Sequence, residues 1–84
     1  MDSVKLQHIL DWTAKHKHVD NPFYTAHEES GFAVFGFTYK NIEASIDNDG
    51  DVLLKPNKLT KKSIPIDDLD EITLLLRTLK HYFE

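Results

Sequence analysis

The chain has 84 residues, no cysteine, a formal net charge of -4, 40% hydrophobic and 29% charged residues. At this length it builds one core that buries roughly 60% of the surface exposed when unfolded, without disulfides or thiolate metal sites. The apolar content excludes a disordered chain, and the mild acidity argues against general duplex-DNA binding, which draws most of its affinity from Lys and Arg on phosphates.

The opening Met1-Asp2-Ser3 lacks a basic n-region, and the longest apolar runs, such as residues 32–35, are short. Neither a signal peptide nor a membrane span is expected. With no cysteine to oxidise, the chain suits a reducing, cytoplasmic setting.

From residue 3 to about residue 18, Leu6, Ile9, Leu10 and Ala14 recur at helical spacing, with Asp2 or Ser3 placed to cap the first turn. Lys15, His16, Lys17 and His18 suit the negative end of that helix, and Asp20-Asn21-Pro22 is its expected stop. Residues 23–27 form a candidate short edge strand, followed by a turn at Glu28-Glu29-Ser30-Gly31.

Alternation sets in over residues 32–39, pauses at a tight Lys40-Asn41 turn, and resumes over residues 42–47. A two-residue turn places Tyr39 opposite Ile42, Phe37 opposite Ala44 and Phe35 opposite Ile46, all on one face. At Asn48-Asp49-Gly50 a three-residue loop with Gly50 left-handed is expected. It sets Val52 opposite Ile46 and Leu54 opposite Ala44, whereas the one-residue slip would turn Asp51 and Lys55 inward at several kcal/mol per unpaired ion.

Residues 55–65, polar, basic and interrupted by two prolines, read as a connector. The last helix follows, with Asp67 as its expected cap, Asp68, Asp70 and Glu71 in its positive end, and Arg77, Lys80 and His81 toward its negative end. Leu69, Ile72, Leu75, Leu76, Leu79, Tyr82 and Phe83 form its apolar stripe. The predicted fold is therefore one α+β domain over residues 1–84, in the order α-β-β-β-α with the extra strand at 23–27 as an option. The strands make an antiparallel meander, with two helices packed on one face.

Catalytic and metal chemistry find little support. His8 and His16 are two helical turns apart, too far to share an ion unaided. His27-Glu28-Glu29-Ser30-Gly31 starts like a helical H-E-x-x-H zinc motif, yet Gly31 stands at the second ligand position and the stretch reads as a turn. Asp47, Asp49, Gly50 and Asp51 invite comparison with a calcium loop, but the closing Glu would fall at Pro56. Neither a nucleophile elbow nor a glycine-rich phosphate loop occurs. No enzyme activity, cofactor or metal is expected.

Function is therefore expected on surfaces. With the bulky side chains gathered on one face, the other carries Phe32, Val34, Gly36, Thr38, Glu43, Ser45, Asp47 and Leu53. Phe32, Val34, Thr38 and Leu53 are the candidate protein-binding residues, an apolar patch with a polar rim beside a bare backbone strip at Gly36. The expected role is a non-catalytic regulator or inhibitor that binds another protein or itself. The alternative uses Lys55, Lys58, Lys61 and Lys62 of the connector as phosphate contacts, with sheet aromatics stacking on single-stranded nucleic acid. A second alternative is an inhibitor whose Asp47, Asp49, Asp67 and Asp70 imitate nucleic-acid phosphates.

Residues 42–79 loosely resemble the transcriptional-coactivator family of single-strand DNA binders. The residues that carry the resemblance are Asp49-Gly50, Lys55-Pro56, Lys61-Lys62 and Ile64-Pro65-Ile66, followed by Leu69 and Ile72. It implies a hairpin, a basic linker and a C-terminal helix serving single-strand binding. Extra residues before Ser63, the N-terminal helix and the lack of Arg on the central strands depart from that pattern. The helix, three strands, helix order also resembles double-stranded RNA-binding domains, whose basic start to the last helix is replaced here by Asp67-Asp68-Leu69-Asp70-Glu71.

Overall fold

A computed structural model describes residues 1–56 and 63–83. The elements run α1 (Ser3–Ala14), β1 (Val19–His27), β2 (Phe32–Tyr39), β3 (Ile42–Asp47), β4 (Val52–Pro56) and α2 (Ile66–Lys80). The strands form one antiparallel meander in the order β1-β2-β3-β4. Both helices pack on the same face of the sheet. No helix among the described residues is long and apolar enough to cross a membrane.

The registers of β2, β3 and β4 follow from alternation and turn chemistry as expected. Tyr39 pairs with Ile42, Phe37 with Ala44 and Phe35 with Ile46; Val52 then faces Ile46 and Leu54 faces Ala44. Gly50 is left-handed at φ 92°, and its N–H donates to the Asp47 carbonyl at 2.9 Å. The Asp47 carboxylate accepts from the N–H groups of Asp49 and Asp51, closing the loop from within. This capping lets three consecutive polar residues reverse the chain without leaving their donors bare.

Phe35, Phe37, Tyr39, Ile42, Ala44 and Ile46 form the sheet side of the core, against Ile9 of α1 and Ile72, Leu75, Leu76 and Leu79 of α2. The Asp2 carboxylate caps α1 by accepting from the Val4 N–H at 3.0 Å. Buried Thr13 belongs to the same helix; its hydroxyl donates to the Ile9 carbonyl at 2.8 Å, so its one polar atom is satisfied.

Three expectations change. α1 ends at Ala14, a turn before residue 18: the Lys15 and His16 N–H groups tie back in tight turns, and His18 at φ 72° redirects the chain into a strand. Asp20-Asn21-Pro22 is no helix stop but a bulge inside β1, where the pairing with β2 shifts between Asp20 and Phe23 and Asn21 sits at φ 50°. The optional strand is real and longer than residues 23–27, because β2 supplies ladder partners on both sides of the bulge. Lastly, Asp67 does not cap α2. Pro65 holds the cap position, no side chain caps there, and Asp67 and Asp68 occupy the first turn.

Two polar clasps tie the hairpins together. At one end of the sheet the Asn48 amide donates to the Gly31 carbonyl at 2.7 Å, and its oxygen accepts from the Ala33 N–H at 3.2 Å. At the other end the Lys40 ammonium meets both Asp68 oxygens at 3.0 and 3.1 Å, which fastens the first turn of α2 over the β2–β3 turn. The buried Tyr39 hydroxyl reaches the same carboxylate at 3.4 Å.

Candidate functional site

The face of the sheet away from the helices is organised in cross-strand rows. Phe23, Gly36, Ser45 and Leu53 make one row, Thr25, Val34 and Asp47 a second, Asp20, Thr38, Glu43 and Lys55 a third, and His27 pairs with Phe32. Successive side chains on a strand alternate in direction, so packing Phe35, Phe37, Tyr39, Ile42, Ala44 and Ile46 against the helices delivers these residues outward together.

Of the predicted protein-binding residues, Phe32 is 40% and Leu53 59% exposed, while Val34 and Thr38 are half-buried between neighbouring strands. All four lie on this outer face. Lys55 is exposed on it as well, facing Glu43 across the β3–β4 ladder. Lys58, Lys61 and Lys62 lie outside the described residues.

The strip at Gly36 is not bare. A Cβ built there would run into the Phe23 ring and approach the Ala44 carbonyl oxygen at 3.0 Å, so the ring lies flat across the glycine. An aromatic side chain covering a strand glycine restores the apolar contact that glycine cannot make. Phe23 remains 44% exposed, and with Leu53 it walls a shallow depression of about 180 Å³, with Ala44 and Ser45 at its base and Glu43 and Lys55 at its rim. Sequence reading missed Phe23 because its strand breaks pattern at Pro22. The available signal was Gly36 itself, since a glycine inside a strand marks the close approach of another group. Further along the same face, at the end of the β1–β2 pairing, the His27 and Phe32 rings stand 6.2 Å apart.

Protonation equilibria are shifted at the Lys40–Asp68 clasp. Burial pushes the Tyr39 phenol above its ordinary 10.0, and the charge of Asp68 adds to the rise. The hydrogen bond that the Lys40 ammonium donates to the Asp68 carboxylate raises Lys40 above 10.5. These shifts protect protonated forms near neutrality and serve the fold, since both side chains are already engaged. Among the described residues no three His, Asp or Glu side chains gather as a metal-binding group. The acids proposed as phosphate mimics fall apart in space: Asp47 and Asp49 belong to the β3–β4 turn, whereas Asp67 and Asp70 start α2, which Asp68 fastens to the opposite end of β3.

Comparison with protein-family models, curated proteins and solved structures finds no match to this chain. What the outer face can do rests on its own chemistry. It is an apolar depression between an aromatic and an aliphatic wall, with one acidic and one basic residue, Glu43 and Lys55, at its edge.

Proposed function

We propose that the protein is a small non-catalytic interaction module, a regulator or inhibitor that works by protein–protein binding or self-association through the outer face of its sheet. The observation that carries this reading is the exposure of Phe23 and Leu53 around a depression on the sheet face away from the helices, with exposed Phe32 further along the same face. Apolar centres with charged rims are the usual anatomy of protein interfaces, and the depression has room for one apolar side chain of a partner. A cysteine-free chain fits action in the cytoplasm.

Phe32→Asp and Leu53→Asp test it, because both positions are exposed and each change puts a charge into the contact. Folded variants should lose partner capture and any face-mediated association seen by sedimentation; unchanged behaviour in both would dismiss the reading. A rival reading, single-stranded nucleic-acid binding, draws on the exposed Phe23 ring beside Lys55 and on the exposed Phe32 ring further along the same face. Fluorescence anisotropy with labelled oligo-dT at two salt concentrations separates the two. Binding that falls steeply with salt and disappears when Lys58, Lys61 and Lys62 become Glu would favour the rival.

A further inference from the structure

The two edges of the sheet are built differently. β1 is broken by its bulge and by Pro22, which has no N–H, and such interruptions keep an edge strand from pairing with another chain. β4 carries no bulge, and among the described residues nothing pairs with its outer edge. It exposes an apolar side chain on each face, Val52, 52% exposed, toward the helix side and Leu53 toward the outer side.

We infer that this edge takes a second copy of the same chain, with β4 adding antiparallel to β4 about a two-fold axis at Leu53 to give one continuous eight-stranded sheet. This surface is distinct from the outer-face depression, and the inference does not depend on that reading, although Leu53 borders both.

Hydrogen-bond phase supports the pairing. The Asp47 N–H donates to the Asp51 carbonyl at 3.0 Å, and pairs alternate along an antiparallel ladder. Asp51, Leu53 and Lys55 therefore turn their backbone groups to β3, while Val52 and Leu54 turn theirs to the open edge. A two-fold at Leu53 sets Val52 of one copy opposite Leu54 of the other, each pair exchanging two backbone hydrogen bonds, so four bonds form across the seam. Pro56, which has no N–H to give, falls at the end of this seam.

Side-chain chemistry selects the same register. With Leu53 on the axis, Asp51 of each copy faces Lys55 of the other, Val52 faces Leu54, and Leu53 faces Leu53. Lys55 would ordinarily discourage edge pairing; here it meets a counter-ion. Moving the axis to Leu54 would set Lys55 against Leu53 and bring Pro56 opposite Val52, losing a donor. Moving it to Val52 would set Asp51 against Leu53. Such an axis is perpendicular to the sheet, so both α2 helices lie on one side of it. Between β4 and α2 each copy has a groove of about 340 Å³ lined in part by Val52, Leu54, Ile72 and Leu76, and the two grooves would meet at the seam.

Sedimentation velocity from micromolar to millimolar chain tests the pairing. The expected result is a monomer–dimer equilibrium. Val52→Pro removes an outward N–H without touching the β3 ladder and should abolish the dimer, with circular dichroism verifying the fold. Asp51→Lys and Lys55→Asp, which spare the backbone, should each weaken association on the order of tenfold, and the double variant should recover it to within about threefold, because the charges are then exchanged and opposed again. A monomer at every concentration would overturn the inference. So would a dimer indifferent to Val52→Pro, a double variant weaker than both singles, or a dimer lost on Phe32→Asp and kept by the edge variants, which would assign self-association to the outer face.

Discussion

The placement of the Phe23 ring over Gly36 can be measured through Gly36→Ala. An added Cβ occupies the position of the ring, while on the other side the Ala44 carbonyl at 3.0 Å belongs to the backbone and cannot yield. The ring must therefore swing off the sheet. Just over half of Phe23 is covered, and with an aromatic side chain burying on the order of 200 Å², leaving forfeits roughly 100 Å² and about 2.5 kcal/mol. Replacing glycine by alanine within a strand returns about 0.5–1 kcal/mol through lower unfolded-state entropy, so the net loss is about 1.5–2 kcal/mol. Phe23→Ala alone should cost about 2 kcal/mol for the same lost cover. In the Phe23→Ala background Gly36→Ala should be close to neutral, a coupling of about 1.5–2 kcal/mol between the two sites. Urea unfolding of the four proteins, followed by circular dichroism, reads this directly, and each kcal/mol moves the thermal midpoint of a domain this size by about 4–8 °C. An equal penalty for Gly36→Ala with and without the ring would refute the geometry.

Three other perturbations probe the scaffold. Asn48→Ala removes both side-chain bonds between the two hairpin ends, keeping the backbone bond from Asn48 to Ala33, and should cost about 1–2 kcal/mol in urea melts, with the overall fold unchanged. Along α2, Leu76→Ala empties a buried position and should cost about 2–5 kcal/mol, enough to threaten a domain of this size, whereas Ile66→Ala, at a residue 67% exposed, should stay within about 0.5 kcal/mol; comparable losses at both would contradict the packing of the helix. Alkaline stability follows from Tyr39 and Lys40. Both hold their protons more tightly folded than unfolded, so their contribution is complete below pH 10.0 and disappears as pH climbs through the raised folded values. Tyr39→Phe should therefore flatten the fall of the urea midpoint above pH 10.0, and an unaltered slope would remove burial of the phenol as its cause.

The central hairpins were legible because two independent constraints agreed. Alternation named the buried side of β2, β3 and β4, and the loop at Gly50 allowed only the register that kept Asp51 and Lys55 out of the core. α2 was legible from its stripe for a similar reason, since one helical face supplies Ile72, Leu75, Leu76 and Leu79. Of the outer face, Phe32, Val34, Thr38 and Leu53 came from parity alone, as residues on the side opposite the buried set. Phe23, the group that shapes the depression, did not, because the bulge at Asn21 shifts the parity of β1 and only its pairing with β2 reveals which way Phe23 points.

Sequence by itself determined which side chains share a face wherever period and turn chemistry act within a few residues of each other. Tertiary structure alone decided where α1 stops, that Asp20-Asn21-Pro22 joins a strand, and that Asp68 anchors to Lys40 in place of a cap at Asp67. In each of those cases the local preference is weak. Bonds to a segment distant along the chain, from Lys40 to the His18 carbonyl, across the β1–β2 ladder and from Lys40 to Asp68, add to the local turns, so the outcome depends on which partner the packed sheet brings within reach.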